Sequence, residues 1–218
     1  MVIPTLDEEE QVVDAIRSAS APGVEVLVVD GGSRDATRLR AKAAGARVLE
    51  SPPGRARQLD VGARSAKGGV IVFLHADTRL PPGFADAIRA ALRDPATVGG
   101  AFRFRFDQHT VALRIVEWGS RLRVAALGLP YGDQALFVRR SVLEAIGGIP
   151  MAPIMEDLDL VKAMRQRGRL ARLGAPATTS ARRHRAHGVF RTAFLHSLAV
   201  LAWGLGIDRR RIARWLGR

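Results

Sequence analysis

The sequence contains no cysteine, one tyrosine and only three lysines beside 31 arginines. Without cysteine there is no thiol nucleophile, zinc finger, iron–sulfur cluster or disulfide framework, so any metal must rest on carboxylates or histidines. No Gly-x-Gly-x-x-Gly follows an apolar run and no P-loop Gly-Lys-Ser/Thr occurs, which sets aside two standard ways of cradling phosphate. No basic stretch leads an apolar one at MVIPTLDEEE, so a cytoplasmic protein is expected. The longest apolar run, residues 192–207, holds His196 and two glycines and is shorter than the ~20 residues of a bilayer span. A buried or interfacial helix is expected there.

What remains is ordinary globular material, 47% hydrophobic and 25% charged. Its 218 residues suit one large domain, or one domain with a small appendage. The net charge of +13 is polarised: residues 1–160 carry equal numbers of basic and acidic side chains, whereas 161–218 carry fourteen basic ones against the single acid Asp208. Such an end points to an anionic partner, whether lipid headgroups, a phosphorylated substrate or nucleic acid, or else to an arginine-biased solvated face.

Short β-branched runs alternate with amphipathic stretches, the pattern of βα units and a mostly parallel sheet. Strands are predicted at Val2–Pro4, Glu25–Val29, Arg47–Leu49 and Val70–Leu74, with helices between them. Asp7 and Glu10 have the spacing of a capping box for the first helix, which turns Val12, Val13 and Ile16 inward. Phe102, Phe104 and Phe106 alternate with arginines as in a half-buried strand, and there the parallel run is expected to end. Further helices are expected at 111–126, from Ser141 to the Gly147-Gly148 stop, and at Asp157–Arg167. Short strands near Leu170–Leu173 and Ala177–Ser180 precede a basic helical tail, with a boundary near residue 182.

In open α/β sheets the ligand crevice lies outside the carboxyl ends of the strands. Asp30 and Asp77 end predicted strands and Glu156-Asp157 opens a helix, and an all-carboxylate set of this kind suits Mg²⁺ or Mn²⁺ shared with a diphosphate. Helix capping and turns are the plainer explanation for Asp30 and Asp157 taken singly. The basic turn Gly54-Arg55-Ala56-Arg57 at a helix start is a further anion candidate.

Taken in order, these segments resemble the family-2 inverting glycosyltransferases of the GT-A fold. VIPTLDEE resembles their opening strand, VLVVDGGSRDAT their Asp-Asp-Gly-Ser turn and IVFLHADTRLPPGF the strand carrying their Asp-x-Asp metal motif. GDQALFVRRSVLEAIGGIP and IMEDLDLVKAMRQRG resemble the acceptor-side segment and the Glu-Asp base motif. The resemblance runs from residue 1 to about 170 and is nearest to a small bacterial branch whose metal motif reads His-Ala-Asp-Thr. It implies a catalytic domain over 1–181, with a nucleotide half at 1–100 and an acceptor half at 101–181, followed by a basic amphipathic extension at 182–218. It further implies that Pro4, Thr5, Glu8, Asp30 and Asp77 line the nucleotide pocket, with Arg57 near the diphosphate. Asp77 would hold a divalent cation, Mg²⁺ or Mn²⁺, and Asp157, beside Glu156, would deprotonate the acceptor hydroxyl. Gly132, Asp133 and Gln134 would meet the acceptor or donor sugar, and His184 and His187 would belong to a lid. Two positions depart from the pattern: Gly31 replaces the second acid of Asp-Asp-Gly-Ser, and His75 replaces the first acid of Asp-x-Asp.

The donor implied first is a UDP-sugar, and the acceptor a hydroxyl compound, lipid-linked if the tail meets a membrane. Phe190, Phe194, Trp203 and Trp215 among arginines give the tail the make-up of helices lying on the inner face of an anionic membrane, or packing on the domain or on a second copy. The rival readings are a degenerate GT-A protein and a basic module that binds nucleic acid or an anionic surface. No helix-turn-helix, RRM or zinc signature supports nucleic acid, and none is expected as a partner. A sugar-nucleotide pyrophosphorylase would need a basic Gly-rich loop where PTLDEEE stands.

Overall fold

The computed structural model describes residues 1–216. Three short strands, β1 (Val2–Thr5), β2 (Leu27–Asp30) and β3 (Arg47–Glu50), pair in parallel, with crossovers through α1 (Val12–Ala19) and α2 (Thr37–Ala43). α3 (Arg55–Ser65) leads to β4 (Val70–Val72), and a parallel bridge from Val2 to Phe73, with Leu74 N–H donating to Val2 O at 3.0 Å, joins this sheet to a second one. The second sheet has the order β4-β7-β6-β8-β5, formed with β5 (Thr78–Arg79), β6 (Thr97–Phe106), β7 (Phe137–Arg139) and β8 (Arg169–Thr179). Around it lie α4 (Phe84–Ala91), α5 (Val111–Leu127), a 3-10 turn at Gly132–Gln134, α6 (Arg140–Ile146) and α7 (Glu156–Arg165). The chain finishes in α8 (Arg182–His187), α9 (Val189–Gly204) and α10 (Arg209–Trp215). The α/β class expected from the sequence is the one observed.

Each face of the sheet is closed by apolar side chains at helical spacing. α1 buries Val12, Ala15, Ile16 and Ala19, which join Ile3, Val28, Leu74 and Phe84 in one core layer. On the opposite face Leu59 and Ala63 of α3 meet Leu160, Val161 and Met164 of α7 around Val29 and Val138. Burying an aliphatic side chain of this size contributes about 1.5–3 kcal/mol, so the two layers fix where the strand tips end.

Four local expectations are corrected. The Asp7–Glu10 capping box does not form: α1 starts at Gln11 without a side-chain cap. Asp7 instead takes the Arg34 N–H at 2.8 Å and Glu9 the Ala36 N–H at 3.0 Å, because adjacent parallel strands bring the two following loops face to face. Parallel pairing does not end at β6, which runs antiparallel to β7 but parallel to β8. The two short strands expected over 170–180 are one, β8, with an irregularity between Phe102 and Arg103 where Gly174 and Ala175 fall out of the ladder. Finally, Trp203 is not on the open face of the tail: its indole N–H donates to Asp159 at 3.1 Å. Arg209 grips the same carboxylate with two N–H groups at 2.6 and 2.8 Å, which fastens α9 and α10 to α7.

Candidate active site at the strand tips

The crevice is framed by three loops, and each contains a non-glycine residue in left-handed conformation: Asp7 (φ 53°) after β1, Ala135 (φ 48°) after the 3-10 turn and Met155 (φ 61°) before α7. Such backbone costs of order 1–3 kcal/mol per residue and persists only where the surroundings enforce it. Here it turns Glu8, Asp133 and Glu156-Asp157 into one region.

On the β1–β2 side, Asp30 is buried and saturated. Its carboxylate accepts N–H groups from Gly32 at 3.0 Å and Ser33 at 2.9 Å, the Ser33 hydroxyl, and the Thr5 hydroxyl at 3.4 Å, with Arg38 at 3.8 Å. Pro4 lies within β1 and offers no donor. Gln58, which the sequence did not single out, donates its buried amide to Thr5 O at 2.7 Å and Val29 O at 2.9 Å. A Cβ on Gly31 would stand 2.9 Å from that amide, so Gln58 fills the space where the family pattern has its second acid. The sign in the sequence was a polar residue on the apolar face of α3, one position before Leu59.

α3 also decides between two arginines. Arg57 is exposed on its outer face, while Arg55, two residues earlier, points into the crevice. Its guanidinium pairs with the buried Glu156 carboxylate, lies 3.8 Å from Asp157 and donates to His75 Nε2 at 3.4 Å. Those carboxylates hold the Arg55 pKa above its ordinary value against the effect of burial. Helical spacing carried the signal, since Arg55 shares a face with Gln58, Leu59 and Gly62.

Around Arg55 the remaining groups converge. Asp157, in the first turn of α7, accepts the Gly132 N–H at 2.7 Å and its neighbour Leu158 N–H at 3.0 Å. A Cβ at Gly132 would lie 2.9 Å from His75 Nε2 and 3.1 Å from Asp157 Oδ2, so only glycine allows this approach. Burial and the Arg55 charge push the His75 pKa down to about 4, which leaves a neutral ring with Nε2 as acceptor. Asp133 keeps one buried carboxylate oxygen, Oδ1, with no hydrogen-bond partner. Burial, reinforced by Asp157 and Asp77 and opposed by Arg123 and Arg55, pushes its pKa up to about 7. Gln134 is spent on the backbone, accepting from Tyr131 N–H at 3.0 Å and donating to Phe102 O at 3.1 Å.

Asp77 does not end a strand as expected: it lies in the turn between the Phe73 bridge and β5, directly before Thr78, whose hydroxyl donates to its carboxylate at 3.4 Å. Glu8 faces it, and burial together with the Asp77 charge raises the Glu8 pKa, opposed by Arg182 at 3.0 Å. Arg182 also reaches Glu10, so α8 closes over this corner. His184 turns the other way, edge-on to Phe106 at 4.8 Å, and His187 is exposed. Among the described residues no three His, Asp or Glu side chains cluster as a ready metal site.

The family model for glycosyl transferase family 2 matches residues 1–146. A glucosyl-3-phosphoglycerate synthase of Mycolicibacterium paratuberculosis is 38% identical over 35% of this chain and 27% of its own length, so the chain spans about a quarter of that curated relative. A crystallised mycobacterial protein superposes with TM-score 0.58 at 27% identity over 82% of this chain and 63% of that one. The Mycobacterium tuberculosis glucosyl-3-phosphoglycerate synthase, crystallised with Mn²⁺ and UDP-glucose, gives TM-score 0.68 at 23% identity over 95% of this chain and 78% of its own.

Proposed function

The chain belongs to glycosyl transferase family 2, and on that premise we propose that it moves a sugar from a nucleotide donor, a UDP-sugar first, to an acceptor hydroxyl with inversion. The observation that carries the acceptor site is the unpartnered, buried Oδ1 of Asp133 beside Asp157. A buried acceptor atom without a donor is costly unless a ligand hydroxyl completes it. Asp157 is the base: Gly132 N–H fixes one oxygen, and the acceptor proton passes to a free lone pair of the carboxylate. As the acceptor oxygen bonds to the anomeric carbon, the bond from that carbon to the diphosphate oxygen breaks. Arg55 neutralises Glu156 next to the base and leaves Asp157 the freer carboxylate.

Thr5, Glu8, Asp30 and the Gln58 shelf would form the nucleotide side, with Arg182 of α8, held by Glu8 and Glu10, at its edge. Asp77 would hold a divalent cation, with neutral His75 two residues away and the other ligands coming from diphosphate and water, as suits Mg²⁺ or Mn²⁺. Such an ion, when bound, supplies Lewis-acid stabilisation of the leaving diphosphate. The Mn²⁺ and UDP-glucose in the mycobacterial synthase support this donor and ion class.

A thermal-shift panel of UDP, GDP, dTDP and CMP with and without Mn²⁺ tests the reading. At a hundred times its Kd a ligand adds about 2.7 kcal/mol of stability. One nucleotide is expected to shift the melt in a Mn²⁺-dependent way. A folded protein that no nucleotide shifts would instead be a degenerate relative, as His75 in the metal motif allows.

A further inference from the structure

We propose that the outward face of α5 and α9 docks on an anionic lipid bilayer. On α5, Val111, Ile115, Trp118 and Leu122 recur at steps of four, three and four and are 47–77% exposed. On α9, Phe190, Phe194, Leu198 and Leu201 recur at steps of four, four and three and are 43–67% exposed. The two helices pack against each other, and with Leu127 and Leu205 at their ends they carry ten of the fourteen exposed large apolar side chains among the described residues. That amounts to on the order of 1,000 Å² of apolar side chain, beyond the few hundred that a monomer ordinarily presents to water.

Charge decides what covers this face. Arg114 and Arg121 flank the α5 stripe, Arg191 flanks that of α9, and Arg211 and Arg214 are exposed on α10 together with Trp215. The acids on these helices are already engaged: Glu117 is buried and accepts the Phe106 N–H at 2.8 Å, and Asp208 caps α10 through the Arg211 N–H at 3.0 Å. The area alone would satisfy a dimer, which needs ~800 Å² per partner. A two-fold interface, however, sets this face against itself and brings arginine against arginine. A bilayer with anionic headgroups accepts both halves of the pattern, taking the apolar stripes into the acyl boundary and pairing the arginines with phosphate. No described helix is long and apolar enough to cross a membrane, so the contact is in-plane. Asp159, held by Trp203 and Arg209, ties α9 and α10 to α7, the helix bearing Asp157.

The test is co-sedimentation of the full chain with phosphatidylcholine vesicles in which a third of the lipid is phosphatidylglycerol, against pure phosphatidylcholine, with solution mass by light scattering. Binding is expected to the anionic vesicles alone, weakening in high salt, and about ten-fold or more weaker in the Phe194→Glu, Leu201→Glu double variant. The single variant Arg191→Glu, which leaves the apolar stripe intact, should weaken binding by a smaller factor. Variants are read only with an unchanged melting curve, and the nucleotide panel on the same samples reports separately on the transferase reading. Absence of binding to anionic vesicles overturns the proposal. So does a solution dimer that the double variant splits into monomers, since a second copy would then own the face.

Discussion

Asp30 and Asp133 carry the same group in the same crevice, yet one is saturated and the other is not. Asp30 precedes Gly-Gly-Ser, whose turn folds back two N–H groups and a hydroxyl onto its carboxylate. Asp133 sits in a 3-10 turn whose nearby Gly132 N–H is given to Asp157 instead, and its Oδ1 is left without a partner. The first carboxylate is therefore a strut that shapes its own loop, while the second, in the proposed function, would be completed by a ligand. On the proposed reading, the nucleotide side would owe its shape to internal satisfaction, and the acceptor side its chemistry to the lack of it.

The largest effect that would sharpen this contrast falls on turnover. Asp157→Asn keeps the shape and the Gly132 contact but removes the proposed base, so kcat should drop by about 10²–10⁴ while the nucleotide-induced thermal shift stays at the wild-type value. Near-normal transfer by this variant would move the base elsewhere in the crevice.

A comparable energy, expressed in stability, separates the two arginines of α3. Arg55→Leu strands the Glu156 carboxylate, which is 2% exposed, and should cost about 3–5 kcal/mol in urea unfolding. Arg57→Leu, on the open face, should stay within about 0.5 kcal/mol. Equal costs at the two positions would mean that Glu156 finds another counter-charge.

This pair also marks how far the sequence could be read. Apolar runs located β1, β2 and β4, the period-two phenylalanines located β6, and Asp30 marked the tip of β2, because each signal lies within a few neighbouring residues. What escaped depends on distant partners. Gln58 bridges Thr5 and Val29 across 53 and 29 residues and fills the space above Gly31, so the missing second acid makes sense only once α3 lies on β1 and β2. Choosing Arg55 over Arg57 needed the burial face of a helix whose polar and apolar residues are interleaved. The acidic run after β1 reads locally as a helix cap, but adjacent parallel strands place it against the β2 loop, where open N–H groups compete for it.

The smallest effect tests the unsatisfied carboxylate itself, in ligand-free protein without divalent metal. With a folded-state pKa near 7 against an ordinary 3.8, Asp133 is protonated in both folded and unfolded chains below about pH 4, where it has no influence on stability. Between pH 4 and 7 the folded protein retains a proton that the unfolded chain releases, so stability falls as pH rises, and above 7 the whole cost of a buried charge is present. Asp133→Asn has no charge to bury. Its stability should match wild type near pH 4 and exceed it by about 1–3 kcal/mol at pH 8, less than full linkage because Asp133 is only partly buried. Activity should move the other way, since the amide no longer offers a carboxylate to the acceptor hydroxyl. Asp30→Asn breaks the symmetry of the comparison: it weakens bonds that already exist, so it should lose stability at pH 8. An Asp133→Asn variant less stable than wild type at pH 8 would show that Oδ1 has a partner after all, and that the acceptor side is built like the nucleotide side.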